Sequence, residues 1–185
     1  MTNSNYFYAL KLPNEAKYYI HENLTELKDK LTFNKWVHPE DFHITLAFLG
    51  KVEEEKLKDS IQKVRNSCLE QPGFSLKLTE LGIFGPAASP RILWAGVQNE
   101  DRLYSLQKAV YISCEEAGFL LDKKPFKPHI TVARKYKGDN KFNPDSLSTL
   151  GEFTFTADRF TLYKTNIGMS PSYETIQDFN LNIME

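Results

Sequence analysis

Two kinds of apolar pattern alternate along the chain. Short apolar or alternating runs at 7–10, 43–47, 74–76, 93–96, 129–133 and 160–162 predict strands. Between the first two, residues 14–31 place Ala16, Ile20, Leu24, Leu27 and Leu31 at helical spacing behind Pro13-Asn14, which predicts a helix. Residues 100–117 do the same with Leu103, Leu106, Val110 and Ala117, and Gly118 is placed to cap the end. A third helix is expected over 53–67, where Leu57, Ile61 and Val64 follow Glu53-Glu54-Glu55, acids suited to the positive end of a helix dipole. Residues 137–151 are rich in Gly, Asn, Asp, Ser and Pro and read as a loop.

The pattern is also a repeat. His43-Ile44-Thr45-Leu46-Ala47 returns as His129-Ile130-Thr131-Val132-Ala133, 86 residues later. At the same offset Phe7-Tyr8-Ala9-Leu10 meets Leu93-Trp94-Ala95-Gly96, and Phe74-Ser75-Leu76 meets Phe160-Thr161-Leu162. Each half therefore reads as strand, helix, strand, connection, strand. Such a duplication predicts an α+β fold of two lobes related by a pseudo-twofold axis, forming one domain over residues 1–185.

Composition narrows the class without naming a function. Apolar content of 41% and charged content of 25% are ordinary for a soluble globular chain, and no run is long enough to span a membrane. Two cysteines, Cys68 and Cys114, are too few for a disulfide framework, so a reducing cytoplasm is the expected setting. A net charge of −1 gives no global field for nucleic acid. Locally the balance shifts: Lys123, Lys124, Lys127, Arg134, Lys135 and Lys137 surround His129 with no acid among them, whereas Glu40 and Asp41 precede His43.

On a strand, residues i and i+2 share a face. His43 and Thr45 therefore project together, as do His129 and Thr131, while Phe42, Ile44, Leu46 and Phe48 are expected to enter a core. Two such strands across a groove suit in-line displacement at phosphorus. One neutral imidazole takes a proton from water and one imidazolium gives a proton to the departing oxygen, while the threonine hydroxyls donate to phosphate oxygens. Histidine fits because its ordinary pKa, about 6.5, lets both protonation states exist near neutrality. This chemistry calls for no metal and no cofactor. The local charges suggest His43 as proton donor and His129 as acceptor. Arg134 stands on the opposite parity to His129, so a place in the site requires a bulge or strand end between them. His21 and His38 have no counterparts and read as structural or exposed; Trp36 and Phe48 are rings that could stack on a base, but core packing is the expected use of each.

At these residues the chain resembles the 2H phosphoesterase superfamily, and within it the RNA 2′,3′-cyclic phosphodiesterases, also called 2′-5′ RNA ligases. The resemblance spans nearly the whole chain: Tyr6-Phe7-Tyr8-Ala9-Leu10, Trp36-Val37-His38-Pro39-Glu40 leading into the first motif, Arg91-Ile92-Leu93-Trp94, and Pro128-His129-Ile130-Thr131-Val132-Ala133-Arg134. It implies hydrolysis of RNA 2′,3′-cyclic phosphate ends to 2′-phosphomonoesters in a cleft between two antiparallel sheets with helices outside. His43 would be the donor, His129 the acceptor, and Thr45, Thr131 and Arg134 the phosphate contacts. Tyr6 departs from the family, which often carries arginine there. Two other readings stay open: joining of cyclic phosphate ends to 5′-hydroxyls at the same residues, and a binding module for RNA ends without turnover. The implied partner is an RNA or nucleotide cyclic phosphate, with the protein acting as a monomer.

Overall fold

The computed structural model describes residues 4–147 and 149–182; residues 1–3, 148 and 183–185 of the expected domain and of its 137–151 loop lie outside the described residues. The chain runs β1 (Asn5–Lys11), α1 (Asn14–Asn23), α2 (Thr25–Lys30), β2 (Phe33–Trp36), β3 (His43–Lys51), α3 (Glu54–Cys68), β4 (Phe74–Phe84), β5 (Ile92–Val97), α4 (Asp101–Glu116), β6 (His129–Tyr136), β7 (Thr154–Ala157), β8 (Arg159–Thr165) and β9 (Tyr173–Asn180). The expected 14–31 helix is broken by a turn at Leu24. There Asn23 Nδ2 donates to the Tyr19 carbonyl and Thr25 Oγ1 to that of His21, polar side chains competing with the helix ladder. Gly118 does close α4, at φ +82°, and the described residues of 137–151 are irregular apart from one short 3-10 turn at Pro144–Ser146.

Strand order reveals the duplication directly. It runs β7-β4-β5-β6-β3-β1-β8-β9, with β2 beside β6, and all neighbours are antiparallel. Exchanging β3 with β6, β1 with β5, β8 with β4 and β9 with β7 gives the same order read from the other end, as a twofold axis requires. The two halves of this array meet at a single pair, Ile44 opposite Ile130. Those residues are equivalent in the repeat, so the pseudo-twofold axis passes through that pair. Helices α3 and α4 pack together on the core side, and Leu103, Leu106, Val110 and Val64 are fully buried beneath them.

Registers correct two of the sequence matches. Ala9 pairs with Thr45, but Trp94, not Ala95, pairs with Thr131, so β1 and β5 are related by an offset of 85. On the far side Ala9 pairs with Thr161 and Trp94 with Gly82. Gly82 is thus the counterpart of Thr161, and the likeness of Phe74-Ser75-Leu76 to Phe160-Thr161-Leu162 is coincidental. The start of β4 pairs with β7 and only its later part with β5, which shifts the equivalent residues along the strand.

Candidate active site

The two histidines stand on either side of the axis. Ile44 and Ile130 are fully buried, which holds the opposite faces of β3 and β6 toward the cleft. The antiparallel register at that pair directs His43 toward Thr131 and Thr45 toward His129. Each imidazole is anchored identically. His43 Nδ1–H donates to the Asp41 carbonyl and His129 Nδ1–H to the Lys127 carbonyl, both at 2.7 Å. A carbonyl can only accept, so Nδ1 carries the proton of the neutral ring and Nε2 is the free basic nitrogen. The Thr45 hydroxyl lies 3.2 Å from His43 Nε2.

A symmetric pair of bulges decides what joins them. Between the Trp94–Thr131 and Leu93–Ala133 pairs, β6 carries one extra residue, Val132. Between the Ala9–Thr45 and Tyr8–Ala47 pairs, β3 carries Leu46. Each bulge buries two consecutive residues, Val132 with Ala133 and Leu46 with Ala47, and reverses the parity beyond. Arg134 thereby turns to the face of His129 and Thr131, the condition its place in the site required. On β3 the same reversal overturns an expectation: Phe48 does not enter the core but is 57% exposed and lines the cleft.

Burial and Arg134 set the electrostatics. Desolvation, reinforced by the Arg134 guanidinium, pushes the pKa of His43 down to about 4; the hydrogen bond to Asp41 opposes this only in part. His129 is also lowered, by burial first and by Arg134 after its opposing bond to Lys127. Of the acids near His43 in sequence, only Asp41 raises its pKa, and by less than burial and Arg134 lower it, because both carboxylates are engaged elsewhere. Glu40 accepts from Lys17 at 2.8 Å, and Asp41 accepts from the backbone N–H groups of Ser172 and Tyr173.

Aromatic residues that carry no motif complete the surroundings. His43 is packed by Phe7 at 5.0 Å, Tyr173 at 5.2 Å edge-on and Tyr163 at 6.2 Å, and Phe84 meets His129 edge-on at 4.8 Å. Burial raises the pKa of the Tyr173 hydroxyl, and the nearby Arg134 guanidinium opposes this in part. Tyr163 and Phe84 are equivalent across the axis, facing Phe7 and Ile92 respectively. Only the repeat, aligned by register, could have singled them out. The remaining residues of interest lie elsewhere. His21 contacts Lys28, and His38 accepts from the Glu40 N–H. Trp36 packs edge-on against Phe33 with Lys28 over its ring, and Tyr6 is in the core. Among the described residues no three of His, Cys, Asp and Glu cluster so as to hold a metal, and no helix is long and apolar enough to cross a membrane.

Known proteins are similar to this chain in sequence and in fold. A family model described as the 2′-5′ RNA ligase superfamily matches residues 17–168. An RNA 2′,3′-cyclic phosphodiesterase of Geobacillus stearothermophilus is 42% identical over 183 residues, covering 98% of this chain and 58% of its own length. The chain therefore spans little more than half of that relative. One from Bacillus subtilis is 36% identical over 152 residues, covering 82% of this chain and 83% of its own. In structure the chain is similar to Escherichia coli LigT complexed with 3′-AMP, with a TM-score of 0.82 at 25% identity over 96% of this chain and 98% of that one. On fold, repeat and sequence together, the chain belongs to the 2′-5′ RNA ligase superfamily.

Proposed function

We propose that this protein is an RNA 2′,3′-cyclic phosphodiesterase that opens cyclic phosphate ends to 2′-phosphomonoesters, acting as one bilobal domain over residues 1–185. The observation that carries this is the pair of identically anchored imidazoles, brought face to face at Ile44–Ile130 with Arg134 turned toward both. His129 Nε2 takes a proton from water, and the water oxygen attacks phosphorus. The bond from phosphorus to O3′ breaks as His43 delivers a proton to O3′, leaving the phosphate on O2′. Thr45, Thr131 and Arg134 bind the non-bridging oxygens, whose negative charge grows in the transition state. The phosphate anion supplies the charge that restores a proton to His43, which burial otherwise holds neutral. All five residues come from one chain, so the reading needs no second copy. The free, buried thiols of Cys68 and Cys114 support a reducing, cytoplasmic setting.

Purified protein in EDTA is expected to convert RNA ending in a 2′,3′-cyclic phosphate to the 2′-phosphate. His43→Ala and His129→Ala should each lose about 10²- to 10⁴-fold, the range for general acid–base groups. Activity unchanged in both variants overturns the reading. The low pKa of His43 favours a second assignment, with the two roles exchanged. A substrate with sulfur in place of O3′ separates them, because a thiolate leaves without protonation: the donor's alanine variant regains activity on it and the acceptor's does not.

A further inference from the structure

Beside Arg134 stands a second cation that the proposed hydrolysis does not use. Lys35 on β2 pairs directly with Arg134 on β6, and Trp36 with Ala133. Residues opposite one another on neighbouring strands share a face, so Lys35 stands on the cleft face next to Arg134, on strands about 5 Å apart. Like charges placed directly opposite are destabilising, and no carboxylate offsets these two. Among the described residues neither Lys35 nor Arg134 takes part in an ion pair. Lys35 Nζ is aimed instead by Ser172, whose hydroxyl oxygen accepts from it at 3.2 Å. Ser172 is 8% exposed, and its N–H is held by the Asp41 carboxylate. The ammonium is thus tethered by one of its three N–H donors, and two remain for a ligand. The other lobe has no such pair. Phe48 stands in place of Arg134, the residue at 121 that the offset of 86 matches to Lys35 is leucine, and residues 119–122 form no strand.

We infer that Lys35 binds a second phosphate, the phosphodiester on the 5′ side of the terminal ribose, while Arg134 holds the cyclic phosphate. This rests on the proposed hydrolysis for the place of the cyclic phosphate. Two cations without counter-ions, carried by different strands and differently tethered, suit two anions. Arg134 depresses the pKa of both imidazoles, and Lys35 is not among the charges that do, which sets its ammonium farther from the reacting centre. A free nucleoside cyclic phosphate carries one phosphate, whereas an RNA end carries another one nucleotide away. Lys35 therefore distinguishes an RNA end from a free cyclic nucleotide. Lysine suits the task, a compact charge with rotatable donors against the single charge of a phosphodiester. Because the contact is to the backbone, it is independent of base identity and weakens with salt.

The test compares adenosine 2′,3′-cyclic phosphate with the same nucleotide bearing a 5′-methyl phosphodiester, which adds the second phosphate and no second base. The unmodified protein should favour the diester-bearing substrate about 10-fold in kcat/KM, the lower end for hydrogen bonds to charged groups because Lys35 is open to solvent. Lys35→Gln and Lys35→Ala should abolish that preference while matching the unmodified protein on the simpler substrate, and Lys35→Arg should keep it. On an oligonucleotide ending in a cyclic phosphate, the slope of log kcat/KM against log salt should shrink by about 0.7 in Lys35→Gln, the share of one single-strand phosphate. Equal losses on both substrates place Lys35 on the cyclic phosphate and overturn the inference. So does a preference absent from the unmodified protein or undiminished in Lys35→Gln. If the unmodified protein hydrolyses neither substrate, the hydrolysis reading fails, and calorimetry with adenosine 2′-monophosphate, with and without the 5′-methyl phosphodiester, decides the second site. A preference for the diester that Lys35→Gln abolishes upholds it, and absence of that preference refutes it.

Discussion

Replacing Asp41 tests whether the site is held together from outside the two motifs. Asp41 lies in the short turn before β3 and is 4% exposed. Its carboxylate accepts from Ser172 N at 2.8 and 3.0 Å and from Tyr173 N at 3.2 Å, joining segments 131 residues apart. Its carbonyl meanwhile holds His43 Nδ1. One residue thus ties the β8–β9 connection, and with it the Tyr173 ring, to the strand that carries His43. Asp41→Ala keeps the carbonyl but strands two N–H groups, at about 1–3 kcal/mol each, so a loss of about 2–6 kcal/mol is expected. That is a large share of the roughly 5–15 kcal/mol that holds a domain folded. Asp41→Asn keeps one acceptor oxygen and should lose about half as much. Urea unfolding followed by circular dichroism, with an unchanged m-value, reads the difference. A loss in Asp41→Ala below about 0.5 kcal/mol, the scatter of ordinary surface changes, refutes the latch.

Two further outcomes follow from Arg134 and His43. Hydrogen bonds to charged groups contribute about 1.5–3 kcal/mol, so Arg134→Ala should lower kcat/KM about 10- to 150-fold. Removing that positive charge should also raise the pKa of both imidazoles, displacing the limbs of the kcat/KM profile to higher pH; a profile fixed in position contradicts the contact. His43 stays neutral in the fold down to about pH 4 but titrates near 6.5 when unfolded. Its contribution is therefore complete above 6.5 and is lost as pH falls from 6.5 toward 4, by about 3 kcal/mol at most. Unfolding free energies at pH 7.5, 5.5 and 4.5 should converge between the parent and His43→Gln as pH falls; a constant difference contradicts the buried neutral ring.

What the sequence could and could not convey divides along the line between side chains and backbone pairing. The HxT strands, the helix over Asp101–Glu116 and its Gly118 end were legible because each is written in local spacing. The exchange of β4 and β8 between lobes was not, since which strand lies beside β1 depends on pairing between distant segments. Asp41 was invisible for the same reason: its partners are backbone N–H groups, which carry no residue identity. Arg134 and Phe48 show where the line falls most sharply. Strict alternation turned Arg134 away from His129 and sent Phe48 into the core, and a single inserted residue reversed both. Yet the insertions leave a mark. Leu46-Ala47 and Val132-Ala133 put two apolar residues side by side where alternation demands one polar, and they do so at equivalent places in both repeats. A bulge buries both members of such a pair, and a small alanine as the second member fits beside the larger one. Read that way, the doubled apolar pair following each HxT is itself a signal that the next outward residue, arginine in one copy and phenylalanine in the other, turns to the face of the HxT pair.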